Sequence, residues 1–428
     1  MKTRLIAFAA ALCLLLSGCS PITLSVEELM RPPQLSESQS QVHDALIRAL
    51  GTTVSNVSLR YPTSGDNRSA FTFFDLDGDG QEEAMVFYAL NESPEEVYIN
   101  LMEHNESGWY SVFDTPGAGC NVRSLEFASV TRDDERDIII GWEGAENSAD
   151  RLSVLRYANN RLTELYQNSY TQYTCKDTND DGLLELLTVT APTSGGKPYA
   201  SLIGYRMFAL KEISSQPLNV NMNSFSSLMA GWVTHSEQGL VVDGYVGTEF
   251  TSELLLIKDE AFELPFGEEN DFYKDVVRKQ GVVYSRDVNG DGVIELPLQR
   301  EAPGGTELYF TRYCQLNENL ELQVKRTCFA EDSLGYIFYL PEEWVDNVTV
   351  SESKTGEIIF ETYYSEDQIG PELLSIRVYS EKDYQDKFDT QTYKKIGQRG
   401  NFRYYANIAD DEDLSITYSR VKELFKII

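Results

Sequence analysis

The sequence predicts a mainly β protein made of repeated strand units, with a short helix before the repeats and a small α+β domain after them. Three observations lead to this prediction. An acidic loop pattern recurs three times along the chain. Each copy runs into an apolar segment of strand length, bounded by turn residues. Helical periodicity of apolar residues occurs near the beginning and the end of the chain and not between the loops.

The first residues have the pattern of an export signal. Lys2 and Arg4 precede an unbroken apolar run, 5–16, which is too short to span a bilayer as a mature helix. Residues 16–19 (Leu-Ser-Gly-Cys) resemble the lipobox of bacterial lipoproteins. That resemblance implies a signal peptide over 1–18, a diacylglycerol on Cys19, and an anchor on the extracytoplasmic face of the cell membrane. The polar, proline-bearing composition of 19–35 predicts a tether. An ordinary signal peptide followed by an unrelated cysteine is the alternative.

The overall charge limits the partners. The chain has 68 acidic and 36 basic residues, with a formal net charge of −32. A charge of this sign disfavours nucleic acid and anionic lipid surfaces as partners. The cysteines after Cys19 are far apart and lack CxxC spacing, so they do not predict a zinc site. The sequence is compatible with one or two disulfides and with buried free thiols. The cysteines concerned are Cys120, Cys175, Cys314 and Cys328.

An amphipathic helix is expected over residues 36–51. Ser36 and Gln39 have the spacing of a capping box, and Gly51 stands where a helix would end. Apolar residues between them recur at helical spacing: Val42, Ala45, Leu46, Ala49 and Leu50. We expect this helix to pack on the domain that follows.

The three acidic loops have the composition of calcium sites. Oxygen-bearing side chains occupy loop positions 1, 3, 5 and 9, and glycine occupies position 6. Calcium is a hard cation that binds six to eight oxygens, and the residue at position 7 can add a backbone carbonyl. The predicted ligands are Asp75, Asp77, Asp79, Gln81 and Glu83; Asp177, Asn179, Asp181, Leu183 and Glu185; and Asp287, Asn289, Asp291, Val293 and Glu295. A structural ion is favoured over an ion that bridges to a ligand.

An EF-hand shares the first half of this pattern but requires an acid at position 12 and an exiting helix. Position 12 is instead Val86, Thr188 or Leu298, and the segments that follow the loops are strand-like. Pro297 argues further against a helix after the third loop. The sequence therefore predicts calcium loops that lead into strands.

The spacing of the loops indicates an internal repeat over residues 52–330. The loops begin at 75, 177 and 287, which fits two units of about 50–55 residues between successive copies. A degenerate copy, 129–137, retains Asp133 and Asp137 at positions 5 and 9, and a copy expected near 231–239 has lost its ligands. A strand repeat of this length is typical of a propeller-like array, here of about five or six blades.

The loop followed by an apolar strand resembles the FG-GAP or VCBS-type repeats of calcium-bearing β-propellers. The stretch 61–71 that leads into the first loop is similar to clostridial-type lipoproteins that carry such repeats. The resemblance covers most of the chain after the signal. It implies an extracytoplasmic propeller, with fewer blades than the seven of integrin-like relatives.

Residues 334–428 lose the repeat and predict a small α+β domain. Alternating strands are expected over 357–364 and 373–379, and a helix over 381–387. An apolar stripe at helical spacing closes the chain, from Tyr418 to Ile428. The opening of this segment, around Pro341 and Trp344, resembles PsbP-like sandwich domains.

Signatures of catalysis are sparse. The histidines His43, His104 and His235 are scattered, and no nucleophile-elbow motif occurs. An SxxK box and a KTG box overlap at Lys354, so they cannot form two walls of one site. The expected role is therefore binding of a surface protein or glycan. The alternative is a carbohydrate-active enzyme on the propeller scaffold, a lyase or glycosidase that uses carboxylates and tyrosines.

Overall fold

The structure is a computed structural model that describes residues 35–132, 136–191, 195–268, 270–380, 392–409 and 414–428. The expected signal peptide, Cys19 and the tether up to residue 34 lie outside these residues. The described chain is mainly β and forms six antiparallel sheets in chain order. None of its described helices has the length and apolar character needed to cross a bilayer.

The helix α1 runs from Glu37 to Leu50. Ser36 and Gln39 form the expected capping box, in which each side chain accepts from the other residue's backbone N–H, at 3.2 and 3.0 Å. Gly51 ends the helix in the left-handed conformation, with a φ of 61°. The helix buries Val42, Ala45 and Leu46 against sheet 1.

Sheets 1 and 2 follow the helix. Sheet 1 contains β1 (Val57–Arg60), β2 (Phe71–Phe74), β3 (Glu83–Leu90), β4 (Ser93–Asn105) and β5 (Gly108–Pro116), with both β1 and β2 paired to β3. Sheet 2 is a meander of β6 (Asn121–Ala128), β7 (Asp137–Glu143), β8 (Arg151–Ala158) and β9 (Arg161–Ser169). A 3-10 turn, Val54–Asn56, precedes β1.

Sheets 3 and 4 are also four-stranded meanders. Sheet 3 contains β10 (Gln172–Lys176), β11 (Glu185–Thr190), β12 (Tyr199–Arg206) and β13 (Ala209–Pro217). Sheet 4 contains β14 (Ser224–Trp232), β15 (Gln238–Val246), β16 (Glu249–Lys258) and β17 (Ala261–Glu263). The four-residue helix α2, Phe272–Asp275, follows sheet 4.

Sheet 5 has five strands, the last of which comes from much later in the chain. It contains β18 (Leu296–Glu301), β19 (Tyr309–Leu316), β20 (Leu322–Glu331), β21 (Tyr336–Tyr339) and β27 (Phe425–Ile427). The segment 336–339 was expected to open the terminal domain. It pairs instead with β20, from Cys328–Tyr339 to Glu331–Tyr336, and therefore belongs to sheet 5.

Sheet 6 forms most of the terminal unit. It contains β22 (Val348–Glu352), β23 (Ile358–Ser365), β24 (Gln368–Ser380), β25 (Lys394–Arg399) and β26 (Phe402–Ile408), in the order β22-β23-β24-β26-β25. A 3-10 turn, Glu342–Trp344, precedes it, and the helix α3, Tyr418–Leu424, follows it. The helix ends at Leu424, so the apolar stripe continues as strand β27 rather than as helix. The helix expected over 381–387 lies outside the described residues.

The hydrophobic cores lie between consecutive sheets. Separate clusters join sheets 1 and 2, 2 and 3, 3 and 4, 4 and 5, and 5 and 6. The inner strands β3, β7, β11 and β15 are buried on both faces. Ile138 and Ile140 of β7, for example, face sheet 1, whereas Ile139 faces sheet 3. Burial on both faces explains why these strands are nearly continuous apolar runs in the sequence rather than alternating ones.

The two ends of the stack are covered by different elements. The face of sheet 1 that points away from sheet 2 packs on helix α1. The face of sheet 5 that points away from sheet 4 packs on sheet 6 and helix α3. Cys120, Cys175, Cys314 and Cys328 are all free thiols in this arrangement, and the last two are buried.

Candidate metal centres

We name the acidic loops by their residues: loop 1 is 75–83, loop 2 is 177–185 and loop 3 is 287–295. Each lies immediately before a buried strand, namely β3, β11 or β18. The glutamate at position 9 is buried in every loop, whereas the aspartate at position 5 is exposed. Each loop therefore has a carboxylate at its buried base and further carboxylates near the solvent.

The three loops share one pattern of backbone hydrogen bonds. The N–H of the glycine at position 6 donates to the aspartate at position 1, at 3.0, 3.0 and 2.9 Å. The N–H at position 7 donates to the aspartate at position 5, at 2.7, 2.9 and 2.9 Å. The N–H at position 2 donates to the glutamate at position 9, at 2.7, 3.0 and 2.8 Å. The side chains are thereby folded inward in each loop.

Glycine at position 6 is required by the backbone rather than by lack of space. Gly80, Gly182 and Gly292 have φ values of 86°, 88° and 85°, in the left-handed region. A Cβ at any of them would meet nothing within 4 Å. The recurrence of glycine at this position therefore reflects the sharp turn that folds the ligand side chains back.

In loops 1 and 3 the carboxylates converge. Asp75, Asp77 and Glu83 offer oxygens that all lie within 4.8 Å of one another, and so do Asp287, Asp291 and Glu295. Oε2 of Glu295 accepts from Val288, but the buried Oε1 has no hydrogen-bond partner among the described residues. A buried carboxylate oxygen without a donor is costly unless a cation is bound nearby. The residues of these two loops therefore fit a divalent cation with oxygen ligands.

The raised pKa values of the buried glutamates in loops 1 and 3 also favour a bound cation. Burial first, and then repulsion from the neighbouring carboxylates, Asp77 foremost, raise the pKa of Glu83 to about 7. Burial likewise raises the pKa of Glu295 to about 7, with Asp291 and Asp287 as the charged neighbours. A bound cation would offset both causes, because it interacts only with the ionised form.

Loop 2 differs because an arginine lies against it. The guanidinium of Arg206, at the end of β12, lies 3.8 Å from Oδ2 of Asp181 and 3.8 Å from Oε1 of Glu185. It also donates to Glu260, and this hydrogen bond lowers the pKa of the Glu260 carboxyl. Asn179 donates its amide N–H to Glu185 at 3.2 Å. A cation and an amide donor thus occupy the space in front of these carboxylates.

The degenerate copy at 129–137 has a similar arrangement. Asp137, at position 9, accepts from the Thr131 hydroxyl at 2.5 Å and from Nε of Arg156 at 3.2 Å. Arg156 lies on β8, and the expected position 5 residue, Asp133, lies outside the described residues. In sheet 4, the corresponding segment is a short turn in which the Val233 N–H donates to the Glu237 carbonyl at 3.0 Å.

A separate cavity of about 430 Å³ lies where the first strands of sheets 2 and 3 approach the connection between β1 and β2. Its polar and aromatic lining includes Arg123, Glu126, Tyr170, Gln172 and Tyr173. Burial raises the pKa of the Glu126 carboxyl, and a hydrogen bond from Tyr173 opposes that rise. Glu126 is the one carboxylate in this lining, so the cavity lacks the paired acids of a glycosidase within its described residues.

Comparisons with known proteins leave the family open. No protein-family model matches the chain, and no curated protein matches it significantly. One solved structure that it matches is "Crystal structure of exotype rhamnogalacturonan lyase YesX", at 12% identity and a TM-score of 0.28. The match covers 70% of this chain and 61% of that one, so this chain spans less than two thirds of the lyase. A likeness this low supports no argument about activity.

The positions of the acidic loops were predicted from the sequence, whereas the side chains that face them were not. Arg206 and Arg156 carry no motif, and each is separated from its loop by a complete hairpin strand. The cavity residues were also missed, because they come from three separate segments. The usable signal for the arginines is positional: both occur on the third strand of a sheet whose first connection is an acidic loop.

Proposed function

We propose that this chain is a lipid-anchored extracytoplasmic binding protein, whose sheets form a propeller-like platform stabilised by calcium. The observation that carries the calcium role is the buried Oε1 of Glu295, which has no donor among the described residues and belongs to a carboxylate that converges with Asp287 and Asp291. Loop 1, at the other end of the stack of sheets, also brings three carboxylates together, at positions 1, 3 and 9 rather than 1, 5 and 9. Oxygen-rich, partly exposed loops of this kind suit calcium better than transition metals.

Calcium binding is expected to increase the free energy of unfolding by a moderate amount, which matters most if the domain is only marginally stable. Extracellular calcium modules have dissociation constants of about 10⁻⁴ to 10⁻³ M. At about 1 mM calcium and a dissociation constant of about 0.1 mM, one site would stabilise the fold by roughly 1.4 kcal/mol. Because domains are stable by only about 5–15 kcal/mol, loss of the ions would be measurable.

The test of the calcium role is thermal unfolding with and without calcium. Metal-free protein should melt at a lower temperature than protein in about 2–5 mM calcium, which is roughly 20–50 times a dissociation constant of about 0.1 mM. Asp75→Asn and Asp287→Asn should each reduce this difference, because each removes a ligand charge. Glu82→Gln is the matched control, since Glu82 is an exposed acid within loop 1 that is not a predicted ligand. Equal melting temperatures with and without calcium would contradict the role.

The propeller-like arrangement is supported by the order of the sheets. Sheets 1 to 5 follow one another along the chain, and each packs face to face on the next through its own core. We assign them as five blades. Helix α1 covers one terminal face and sheet 6 covers the other, and these are the two faces that ring closure would bring together. The arrangement therefore favours an open array.

Membrane attachment through Cys19 rests on the sequence alone. Replacement of Cys19 by Ala should release the protein from membranes or block its processing, because the acyl chains would be absent. Membrane fractionation of the two proteins, with a Cys120→Ala control, would measure this. Unchanged membrane association of the Cys19→Ala protein would remove the anchor from the proposal.

Binding is favoured over catalysis by the cavity between sheets 2 and 3. Two tyrosines and an arginine surround a single carboxylate there, which suits a polar ligand such as a glycan more than hydrolysis by paired acids. A screen of purified protein against glycans and peptidoglycan fragments should find binding that Tyr173→Ala weakens. Turnover that is lost in Glu126→Gln would instead favour the lyase or glycosidase alternative.

A further inference from the structure

We infer that Arg206 takes the place of a calcium ion in loop 2, so that of the three complete loops only loops 1 and 3 bind metal. The inference rests on the proposed calcium role and assigns the ions among the loops. It departs from the sequence pattern, in which loop 2 has the full ligand set. The reason for the difference is a side chain that comes from another strand.

The contacts of Arg206 are those that a bound cation would make. Its guanidinium lies between the carboxylates at positions 5 and 9, Asp181 and Glu185, at 3.8 Å from each. Glu185 is buried, with 2% of its side chain exposed, and its Oε2 already accepts from Thr178. The charge at the base of loop 2 is therefore compensated within the chain. A divalent ion would have to displace the guanidinium or be repelled by it.

The amide nitrogen of Asn179 adds a second donor in front of the carboxylates of loop 2. Its Nδ2 donates to Glu185 at 3.2 Å and to Glu260 at 3.1 Å, and its Oδ1 accepts from the Asp181 N–H at 3.0 Å. The contact of the oxygen is common to loop 3, where Oδ1 of Asn289 accepts from the Asp291 N–H at 2.8 Å, so it does not separate the two loops. The nitrogen does: Nδ2 of Asn289 donates to Asp291 within its own loop, whereas that of Asn179 binds the buried Glu185 and joins the arginine network.

The other sheets show what distinguishes a loop that fits metal from one that does not. Loop 3 faces the neutral Gln315, which donates to Asp291 at 3.2 Å, and the nearby Arg326 donates to the Val288 carbonyl rather than to a carboxylate. Asp77 of loop 1 lies near the acidic Glu103. In sheet 2, by contrast, Arg156 on the third strand pairs with Asp137. An arginine on the third strand therefore accompanies each loop whose acids are already paired.

Arg206 also links two sheets, which a calcium ion held inside loop 2 would not do. Glu260 belongs to the turn between β16 and β17 of sheet 4, whereas loop 2 belongs to sheet 3. Gln238 of sheet 4 adds a hydrogen bond to the Asp177 carbonyl at 3.1 Å. We expect the junction between sheets 3 and 4 to hold without calcium, while loops 1 and 3 lose order when calcium is removed.

The experiment is a count of bound calcium, by equilibrium dialysis and calorimetric titration of metal-free protein. The wild-type chain should bind two ions and Arg206→Gln should bind three. Arg206→Lys, which retains the positive charge, should bind two. Arg156→Gln is the matched control: it removes the equivalent arginine beside a loop without glycine at position 6 or an acid at position 1, and should bind two ions.

Melting temperatures with and without calcium distinguish an Arg206→Gln protein that binds calcium in loop 2 from one that is misfolded. Without calcium, Arg206→Gln should melt below the wild type, and calcium should recover more of the loss than it does in Arg156→Gln. Three ions in the wild type, or two in Arg206→Gln together with an unchanged melting temperature, would overturn the inference and leave the calcium role intact. No bound calcium in any of the proteins would overturn the calcium role and the inference together.

Discussion

The guanidinium of Arg278 donates to the carboxylate of Asp243 at 2.9 Å, and both side chains are almost completely buried. Asp243 lies on β15, and it also accepts from the backbone N–H of Ser285 at 2.8 Å. Arg278 and Ser285 belong to the segment that connects α2 to loop 3. The pair therefore fixes the approach of the chain to loop 3 by a buried contact with sheet 4.

We predict that Arg278→Met will destabilise the protein by about 3–5 kcal/mol, because it leaves the Asp243 charge buried without its partner. The double variant Asp243→Leu with Arg278→Met should lose less than Arg278→Met alone, since no charge then remains buried. Urea unfolding of the variants would measure both effects. A loss below 1 kcal/mol for Arg278→Met would show that the segment does not depend on the pair.

The stabilisation by calcium should depend on pH. The pKa of Glu83 and of Glu295 is raised to about 7 in the metal-free fold, against 4.5 in an unfolded chain. The protonated carboxyls therefore favour the metal-free fold at low pH, and this contribution is lost as pH rises through 7. Calcium requires the ionised forms, so the increase in melting temperature on adding calcium should be larger at pH 8 than at pH 5.5.

The control for this pH dependence is Glu83→Gln with Glu295→Gln, which cannot ionise at either position. Melting temperatures of the metal-free double variant should change less between pH 5.5 and 8 than those of the wild type. Added calcium should raise them little at either pH. A calcium effect of equal size at pH 5.5 and 8 in the wild type would contradict the assignment of these glutamates as ligands.

The turn between β12 and β13 should be open to stabilisation. Met207 and Phe208 have φ values of 52° and 65°, and their side chains are 87% and 93% exposed. Two-residue turns of this type favour asparagine and glycine, and left-handed backbone costs other residues about 1–2 kcal/mol each. We predict that Met207→Asn with Phe208→Gly will raise stability by roughly 1–2 kcal/mol in urea unfolding.

The equivalent turn in sheet 2 provides the reverse experiment. Asn159 and Asn160 occupy it with φ values of 53° and 57°. Asn159→Met with Asn160→Phe should lower stability by a similar amount, because the backbone is the same and the side chains are then unfavourable. If neither double substitution changes the free energy of unfolding, the identity of the two turn residues does not affect the stability of the protein.

The capping box of helix α1 gives a prediction at the other end of the stack. Ser36→Ala should destabilise the protein by about 1 kcal/mol, since the Gln39 N–H would lose its acceptor. Ser38→Ala is the matched control, because Ser38 is exposed inside the helix and alanine is the better helix former there. Equal melting temperatures of Ser36→Ala and the wild type would mean that the helix end frays without consequence.

Local signals account for what could be predicted from the sequence. The helix at 37–50 is bounded by a capping box and a glycine, and both act through residues within a few positions of each other. The buried strands are apolar runs because each is covered on both faces. The acidic loops contain their own pattern, so the sequence also identified where carboxylates would converge in loops 1 and 3.

The features that were missed depend on pairing between distant segments. Tyr336–Tyr339 reads as the start of a new unit, but its partner strand lies just before it in sheet 5. Phe425 continues a helical apolar stripe, yet the edge of β21 binds it as a strand. Arg206 reaches loop 2 because β12 pairs antiparallel with β11, which brings the end of β12 to the start of β11. The composition of the sequence does not specify this pairing.

The pairing of Tyr336 with Ile427 sets an order of assembly during synthesis. Sheets 2 to 4 take all their strands from one continuous stretch, so each can form as soon as that stretch has been made. Sheet 5 cannot be completed until the ribosome has also made the strands of sheet 6. Until then the β21 edge carries unpaired backbone groups, which another chain could bind. A chaperone that bound the β21 edge would protect it until β27 had been made.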